Sequence, residues 1–260
     1  RPELDLMAEA PLDTVFAKLE PDVIVSAAAY TAVDKAESEA DIAFAVNAGG
    51  AGRVAEAAAV LGVPVLHLST DYVFSGAKPA PYLETDPTGP ISVYGHSKLA
   101  GEQRVAAATD NHVILRTAWV YSPFGANFVK TMLRLGETRD MLRVVADQHG
   151  TPTGALDIAD ALLAIASRVT ADKDEALRGV FHLTGGGEAS WADFAQAIFS
   201  RLEAKTGKVV AVEKITTAEY PTPASRPANS RLSGAKLKDR YGIVLPDWRV
   251  SAEAVIDRLI

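Results

Sequence analysis

The 260-residue sequence contains no cysteine. Neither a disulfide framework nor a thiolate metal site can form without one. No apolar run approaches the ~18 residues of a membrane span, and no signal-peptide pattern opens the chain. A cytoplasmic protein with no membrane partner is expected. The five histidines (67, 96, 112, 149 and 182) show no H-x-x-x-H or H-E-x-x-H spacing, so they argue no zinc site. Basic residues are the minority, 26 against 33 acidic ones, for a net charge of −7 with both signs interspersed. That distribution offers no basic face for nucleic acid. Internal repeats and low-complexity linkers are also absent.

What is present is a soluble-enzyme composition, 48% hydrophobic and 23% charged. At this length it can bury one large or two modest α/β cores. Short β-branched runs at 23–26, 64–69 and 112–117 read as buried parallel strands. They alternate with helical patterns at 11–20, 41–61 and 94–108, the second closing on Gly62. Beyond residue 121 the pattern changes. Helices are expected at 127–136, 155–169, 190–206 (Ser190 as N-cap, Asp193 three on), 236–241 and 251–260. Short strands are expected at 142–145 and 180–183, and 207–230 reads as extended and proline-rich. The fold expected is α/β, a doubly wound parallel sheet in residues 1–121 with a smaller α/β unit in 122–260. The boundary is approximate and the two units can interleave.

Such sheets bind ligands just past the C-terminal ends of their strands. Thr70 and Asp71 follow the 64–69 strand directly. Tyr94 and Lys98, four apart, share one face of the next helix. A tyrosine with its ordinary pKa near ~10 is a poor acid–base group at neutral pH, and a nearby lysine cation lowers it. The trio Thr70, Tyr94 and Lys98 then suits proton exchange with a carbonyl oxygen that collects charge as a hydride arrives. Glu102, four after Lys98, offers that lysine a competing ion pair. Trp119, at the end of the 112–117 strand, offers either a flat surface for a sugar or base or a buried core ring. Arg226 and Asn229 suit a diphosphate or a base. The charged run Asp34, Lys35, Glu37 and Glu39 reads as a solvated turn, and residues 78–90 as a long, proline-bearing loop of functional length.

Several blocks carry a resemblance: A-A-A-Y-T-A-V-D-K-A-E-S-E (27–39), S-T-D-Y-V-F-S-G (69–76), V-Y-G-H-S-K-L-A-G-E (93–102), L-R-T-A-W-V-Y (115–121), N-F-V-K-T-M-L-R-L (127–135), D-Q-H-G-T-P-T-G (147–154) and Y-P-T-P-A-S-R-P-A-N-S-R-L (220–232). They resemble the extended short-chain dehydrogenase/reductases, and within them the dTDP-4-dehydrorhamnose reductase family. The resemblance implies a Rossmann-like sheet and reduction of the C4 ketone of a dTDP-sugar by NADPH or NADH. It makes Tyr94, Lys98 and Thr70 catalytic. Asp5 and Leu6 lie beside the adenine, and Ala29, Tyr30 and Thr31, with Tyr94 and Lys98, beside the nicotinamide ribose. Thr70, Asp71 and Trp119 face the sugar, and Asn47 supports the tyrosine. A homodimer is compatible, and so is a magnesium ion at its interface, although no acidic cluster marks one.

The resemblance also implies a glycine-rich phosphate turn in an opening βαβ unit. The first fifty residues hold no G-x-G-x-x-G, and Gly49-Gly50-Ala51-Gly52 sits inside a helical pattern as a packing element. An N-terminally incomplete sheet, with residues 4–6 ending its third strand, is therefore the expectation. Two alternatives stay open. One is a nucleotide-sugar epimerase or dehydratase of the same superfamily, separated by the lack of net cofactor consumption. The other is a non-catalytic module like the regulatory subunit of methionine adenosyltransferase, separated by a stoichiometric enzyme partner.

Overall fold

A computed structural model describes residues 4–7 and 12–260. Three strands, β1 (Ile24–Ser26), β2 (Val65–Thr70) and β3 (His112–Thr117), line up in parallel, and the strand Gly179–His182 joins β3 from the second half of the chain. Register places Thr70 beside Thr117 and Arg116 beside His182. All the C-terminal ends therefore open on one rim. The sheet carries a helical layer on each face. Val54, Ala55, Ala58, Val65, Val105 and Ile114 form one core, and Leu66, Leu115, Ile158, Ile165 and Phe181 form the other. Both faces being covered explains why the strands read as continuous apolar runs rather than alternating ones.

Residues 4–7 form a turn rather than the end of a strand. The Asp5 carboxylate accepts the Met7 N–H at 2.9 Å, a local bond that competes with strand pairing. The first helix is short, Leu12–Ala17, and position 11 of its expected span lies outside the described residues. The expected 41–61 helix begins at Ala40 but is not uniform. Residues Ala45–Gly50 make a π-helical turn before α-helix Ala51–Leu61 resumes. Gly62 ends it at φ +68°, its N–H returning to Ala58 and Ala59, as a left-handed cap requires. The glycines serve close packing, since a Cβ on Gly50 would meet Leu6 Cβ at 2.8 Å.

The helix Val93–Ala108 is capped by Ser92, whose hydroxyl accepts the Gly95 N–H at 3.2 Å. Apolar periodicity turns Leu99, Val105 and Ala106 toward the sheet, and the helix differs from that expectation in what it buries. Ala106 faces solvent and Leu99 is half-buried. The buried face consists of Gly95, Ser97, Lys98, Gly101, Glu102 and Val105. Its partners are polar to match. Glu102 takes two bonds from Arg116 on β3, at 2.9 and 2.7 Å, and one from Ser69 on β2 at 2.5 Å. The ion pair thus forms with Arg116, not with Lys98, because the adjoining strand brings a guanidinium whose fork matches the carboxylate.

The second half builds its own core around Tyr121, Phe194, Ile198, Phe199, Trp248 and Val255. Strand Met141–Val145 pairs in parallel with Ala211–Ile215, a strand the proline-rich appearance of 207–230 conceals. Helix Trp191–Thr206 opens with the expected capping box of Ser190 and Asp193. The last helix runs Trp248–Asp257, three residues earlier than expected, because Asp247 caps it by accepting the Arg249 N–H.

The Arg116–Glu102 pair is 5% exposed on both sides. Removing one charge strands the other in the interior. A Glu102→Gln variant is expected to lose ~3–5 kcal/mol of stability in urea unfolding, with much of that loss recovered by adding Arg116→Met. A single variant as stable as the parent contradicts this account.

Candidate active site

The rim above β2 and β3 gathers the chemistry. Thr70 ends β2 and is 5% exposed. Its side chain accepts the Tyr72 N–H at 3.2 Å and its hydroxyl donates to Asp71 Oδ1 at 2.9 Å. The Tyr94 phenol comes near enough to the Thr70 hydroxyl to be influenced by it. Tyr94 reaches it because the helix docks with no gap: a Cβ on Gly95 would lie 2.3 Å from the Tyr72 carbonyl. Tyr72 then packs edge-on to Tyr94, with ring centroids 5.7 Å apart. Lys98, one turn on, is 2% exposed and donates to the Leu68 carbonyl at 2.7 Å. Its ammonium has two further N–H groups to offer.

Burial sets the titration of these groups. It pushes the Tyr94 phenol up to about 12, against a smaller opposing effect of the Thr70 hydroxyl. The expected depression by Lys98 is not what these surroundings produce. Desolvation lowers the lysine itself to about 8, with Glu102 opposing. Asp71 is 2% exposed, and burial raises its carboxyl to about 7, the Ser230 and Thr70 hydroxyls offsetting part of that.

A second set of contacts shapes the approach to the rim. Ala27 and Ala28, just past β1, are exposed, so the backbone there is open to a flat ligand. Asn47, in the π-helical turn, accepts the Tyr30 N–H at 2.8 Å and donates to the Tyr30 carbonyl at 3.0 Å and to Ser97 at 2.9 Å. It locks the Ala29–Tyr30–Thr31 segment to the helix that carries Tyr94. Thr31 is exposed. Gly101 makes this docking possible, since a Cβ there would sit 2.1 Å from the Asn47 carbonyl.

The charged run at 34–39 is not simply solvated. Glu37 accepts the Val93 N–H at 2.9 Å, serving the free first turn of the helix that bears Tyr94. Asp34 pairs with Arg226 at 2.7 Å, and the guanidinium holds its carboxyl below the usual range. Lys35 and Glu39 do form a surface pair. Arg226 is thus engaged by Asp34 and Thr222, and Asn229 by the Lys78 and Ala80 carbonyls and by Arg231. Both act here as ties within the fold instead of free phosphate ligands. They draw the 220–232 segment onto the β1 end and onto the 78–90 loop. That loop is further closed by Lys78–Asp86 at 2.5 Å and by Tyr82 stacked on Phe74. These long-range partners leave no signal in local sequence pattern.

Trp119 stands past β3 with φ +47° and is half-buried. Its ring stacks on Trp191 at 3.5 Å between centroids. Asp5 and Leu6 lie in the 4–7 turn, where the Leu6 carbonyl accepts from Arg53. No group of three or more His, Asp or Glu among the described residues could hold a metal ion. No helix among them is long and apolar enough to cross a membrane.

The family model described as the RmlD substrate binding domain matches residues 1–260. The chain belongs to this family. It is 58% identical over 260 residues to a dTDP-4-dehydrorhamnose reductase of Sinorhizobium fredii, covering 100% of this chain and 88% of that protein. The Escherichia coli K12 protein of the same name is 46% identical over 244 residues, 93% of this chain and 81% of its own length. A crystal structure of a Bacillus anthracis dTDP-4-dehydrorhamnose reductase in complex with NADP superposes with a TM-score of 0.91 at 36% identity, covering 99% of this chain and 88% of that one.

Asp71 yields a test independent of turnover. A carboxyl held up at about 7 when folded, against ~4 unfolded, binds more protons in the folded state, so stability falls as pH rises between those values and is flat outside them. Asp71→Asn removes that slope. Urea midpoints should show the variant gaining on the parent from about pH 4 to about pH 7 and no further above it. A constant difference across that range contradicts the buried, raised carboxyl.

Proposed function

We propose that this chain reduces the C4 ketone of dTDP-4-dehydro-L-rhamnose to dTDP-L-rhamnose with NADPH or NADH, in the cytoplasm. The observation that carries this reading is the convergence of Thr70, at the end of β2, with Tyr94 and the buried Lys98, one helical turn apart on the helix docked above it. The curated relatives at 45–58% identity bear the name of this reaction, and the Bacillus anthracis structure is of a complex with NADP. We read residues 1–121 as mainly the cofactor half and 122–260 as mainly the substrate half, interleaved through the Gly179–His182 strand.

The residues fit the nicotinamide half of such a cofactor. Lys98 has N–H donors beyond the one given to Leu68, enough for ribose hydroxyls. Ala27 and Ala28 leave backbone open, and Asn47 holds Ala29, Tyr30 and Thr31 beside them. By the family resemblance, Asp5 and Leu6 are the residues that would flank the adenine. The cofactor supplies a hydride to the ketone carbon. The remaining work belongs to the chain.

Tyr94 gives its phenolic proton to the oxygen that becomes the C4 hydroxyl. With burial holding the phenol up to about 12, it stays protonated at neutral pH, the form an acid catalyst needs. Thr70, whose hydroxyl proton otherwise goes to Asp71, turns it to the same oxygen and spreads the developing charge. As the proton leaves, the Lys98 ammonium stabilises the phenolate left behind. Asp71 and Trp119 hold the sugar from either side of the rim.

Tyr94→Phe keeps the ring and removes the proton. It should lose ~10²–10⁴-fold in kcat while binding dTDP-sugar nearly as well as the parent. One reduced cofactor should be consumed per sugar in the parent enzyme. A Tyr94→Phe enzyme with near-normal turnover, or turnover without net cofactor consumption, overturns the proposal.

A further inference from the structure

The proposed reaction leaves one feature of the rim without a role: the packing that surrounds Trp119. A bulky residue with φ near +47° is a rare conformation that costs ~1–3 kcal/mol, and it persists only where surrounding contacts impose it. The contacts are visible. The Trp191 ring lies parallel to Trp119, at 3.5 Å between centroids with 5° between planes. Phe128 braces Trp191 from the side, at 4.7 Å. Gly150 lies against the edge of the Trp119 indole so closely that a Cβ there would fall 2.3 Å from Cε2 and 2.5 Å from Nε1. The Trp119 carbonyl accepts the Thr153 N–H at 3.3 Å, which ties the backbone of this strained residue to the segment just beyond Gly150.

Trp119 also packs against two cores at once. One is the core of the second half, with Tyr121, Phe194 and Trp248. The other is the small cluster behind the rim, with Val73, Phe74, Tyr82 and Ala118. A ring in that position transmits the placement of the second half to the rim. Trp191 and Gly150 come from two separate segments of the second half, and both meet the Trp119 ring.

We infer that Trp191 and Gly150 are positioning residues that hold the Trp119 indole in one pose as a wall for the sugar ring of the dTDP-sugar. This rests on the reading of the rim as a sugar site. Trp191 contributes stacking and Gly150 contributes room. Losing either leaves Trp119 chemically intact but free to take other orientations, and a sugar ring then meets a surface that must be ordered before it binds. On this assignment the ring faces the sugar and not the nucleotide, so the loss is confined to the sugar.

The experiment measures binding of dTDP and of dTDP-L-rhamnose by calorimetry to the full chain, comparing the parent with Trp191→Ala, Trp191→Phe and Gly150→Ala. Near-UV circular dichroism is recorded for each. Two parallel indoles in contact couple their transitions, and among three tryptophans (119, 191 and 248) the stacked pair dominates that signal. The parent should bind dTDP-L-rhamnose more tightly than dTDP. Trp191→Ala should lose the coupled signal and ~5- to 10-fold of that preference, the range an aromatic contact supplies, with dTDP affinity unchanged. Trp191→Phe should lose the coupled signal yet keep most of the preference, because a flat ring still braces Trp119. Gly150→Ala should distort the signal and lose preference with both tryptophans present. If the parent prefers the sugar nucleotide and Trp191→Ala and Gly150→Ala keep that preference, the positioning role is wrong and the sugar site stands. Equal loss for dTDP and dTDP-L-rhamnose also overturns it, as a general structural effect. If the parent shows no preference for the sugar nucleotide, the sugar-site reading fails and takes this inference with it.

Discussion

The close docking of helix Val93–Ala108 onto the sheet is the constraint on which the rest depends. Tyr94 and Lys98 can face the end of β2 only if the helix backbone nearly touches its neighbours. Gly95 meets the Tyr72 carbonyl and Gly101 meets the Asn47 carbonyl at distances no Cβ would allow. A helix brought that close cannot bury large apolar side chains along the contact. It buries Ser97, Lys98 and Glu102 instead. Each buried polar group then needs a partner, and each partner fixes another element: Asn47 for Ser97, the Leu68 carbonyl for Lys98, Arg116 and Ser69 for Glu102. The π-helical turn follows from the same demand, since it aims Asn47 at both Tyr30 and Ser97. Local departures of this kind recur at functional sites.

Burial also decides the acid–base character of the rim. Coulombic tuning of a tyrosine by a lysine is the simple expectation from a Y-x-x-x-K pattern. In this site desolvation dominates both groups, raising one and lowering the other. The two shifts share a direction chemically. Each favours the neutral form of its group, phenol and amine. For a reduction the neutral phenol is the useful state, because the proton must still be on Tyr94 when the oxygen calls for it. In the proposed reaction the part of the lysine begins once the proton has left Tyr94.

The strands, the order of helices and the positions of Thr70, Asp71, Tyr94, Lys98 and Trp119 were legible because they follow from short-range pattern. Continuous β-branched runs mark strands covered on both faces, and polar residues at their ends mark the rim. The capping box at Ser190 was legible for the same reason. What pattern could not show are the pairings across long separations. Glu37 on the N-terminus of the helix at Val93, Asp34 with Arg226, and Glu102 with Arg116 are all charges whose partners lie outside any window of helical or strand periodicity. A charged turn looks the same in sequence whether it faces water or a distant guanidinium. The buried face of Val93–Ala108 was misread for a related reason: apolar periodicity identifies a core face only when the core is apolar, and Ala106 was placed inward by that rule while Lys98 and Glu102 hold the interior.

The two halves of the chain share the apolar core of Leu66, Leu115, Ile158, Ile165 and Phe181, and at Trp119 they also meet through strain. The backbone there is unfavourable for a bulky residue, so the conformation exists because packing on both sides requires it. The ring belongs to the core of the second half and to the cluster behind the rim together. The Gly179–His182 strand adds a second link, running from the second half back into the main sheet beside Arg116. A small displacement of the second half would therefore be felt at the rim in two places, at the Trp119 ring and at the guanidinium that anchors Glu102. The rim residues Thr70, Tyr94 and Lys98 come from the first half, and the packing around Trp119 and Arg116 ties the second half to them.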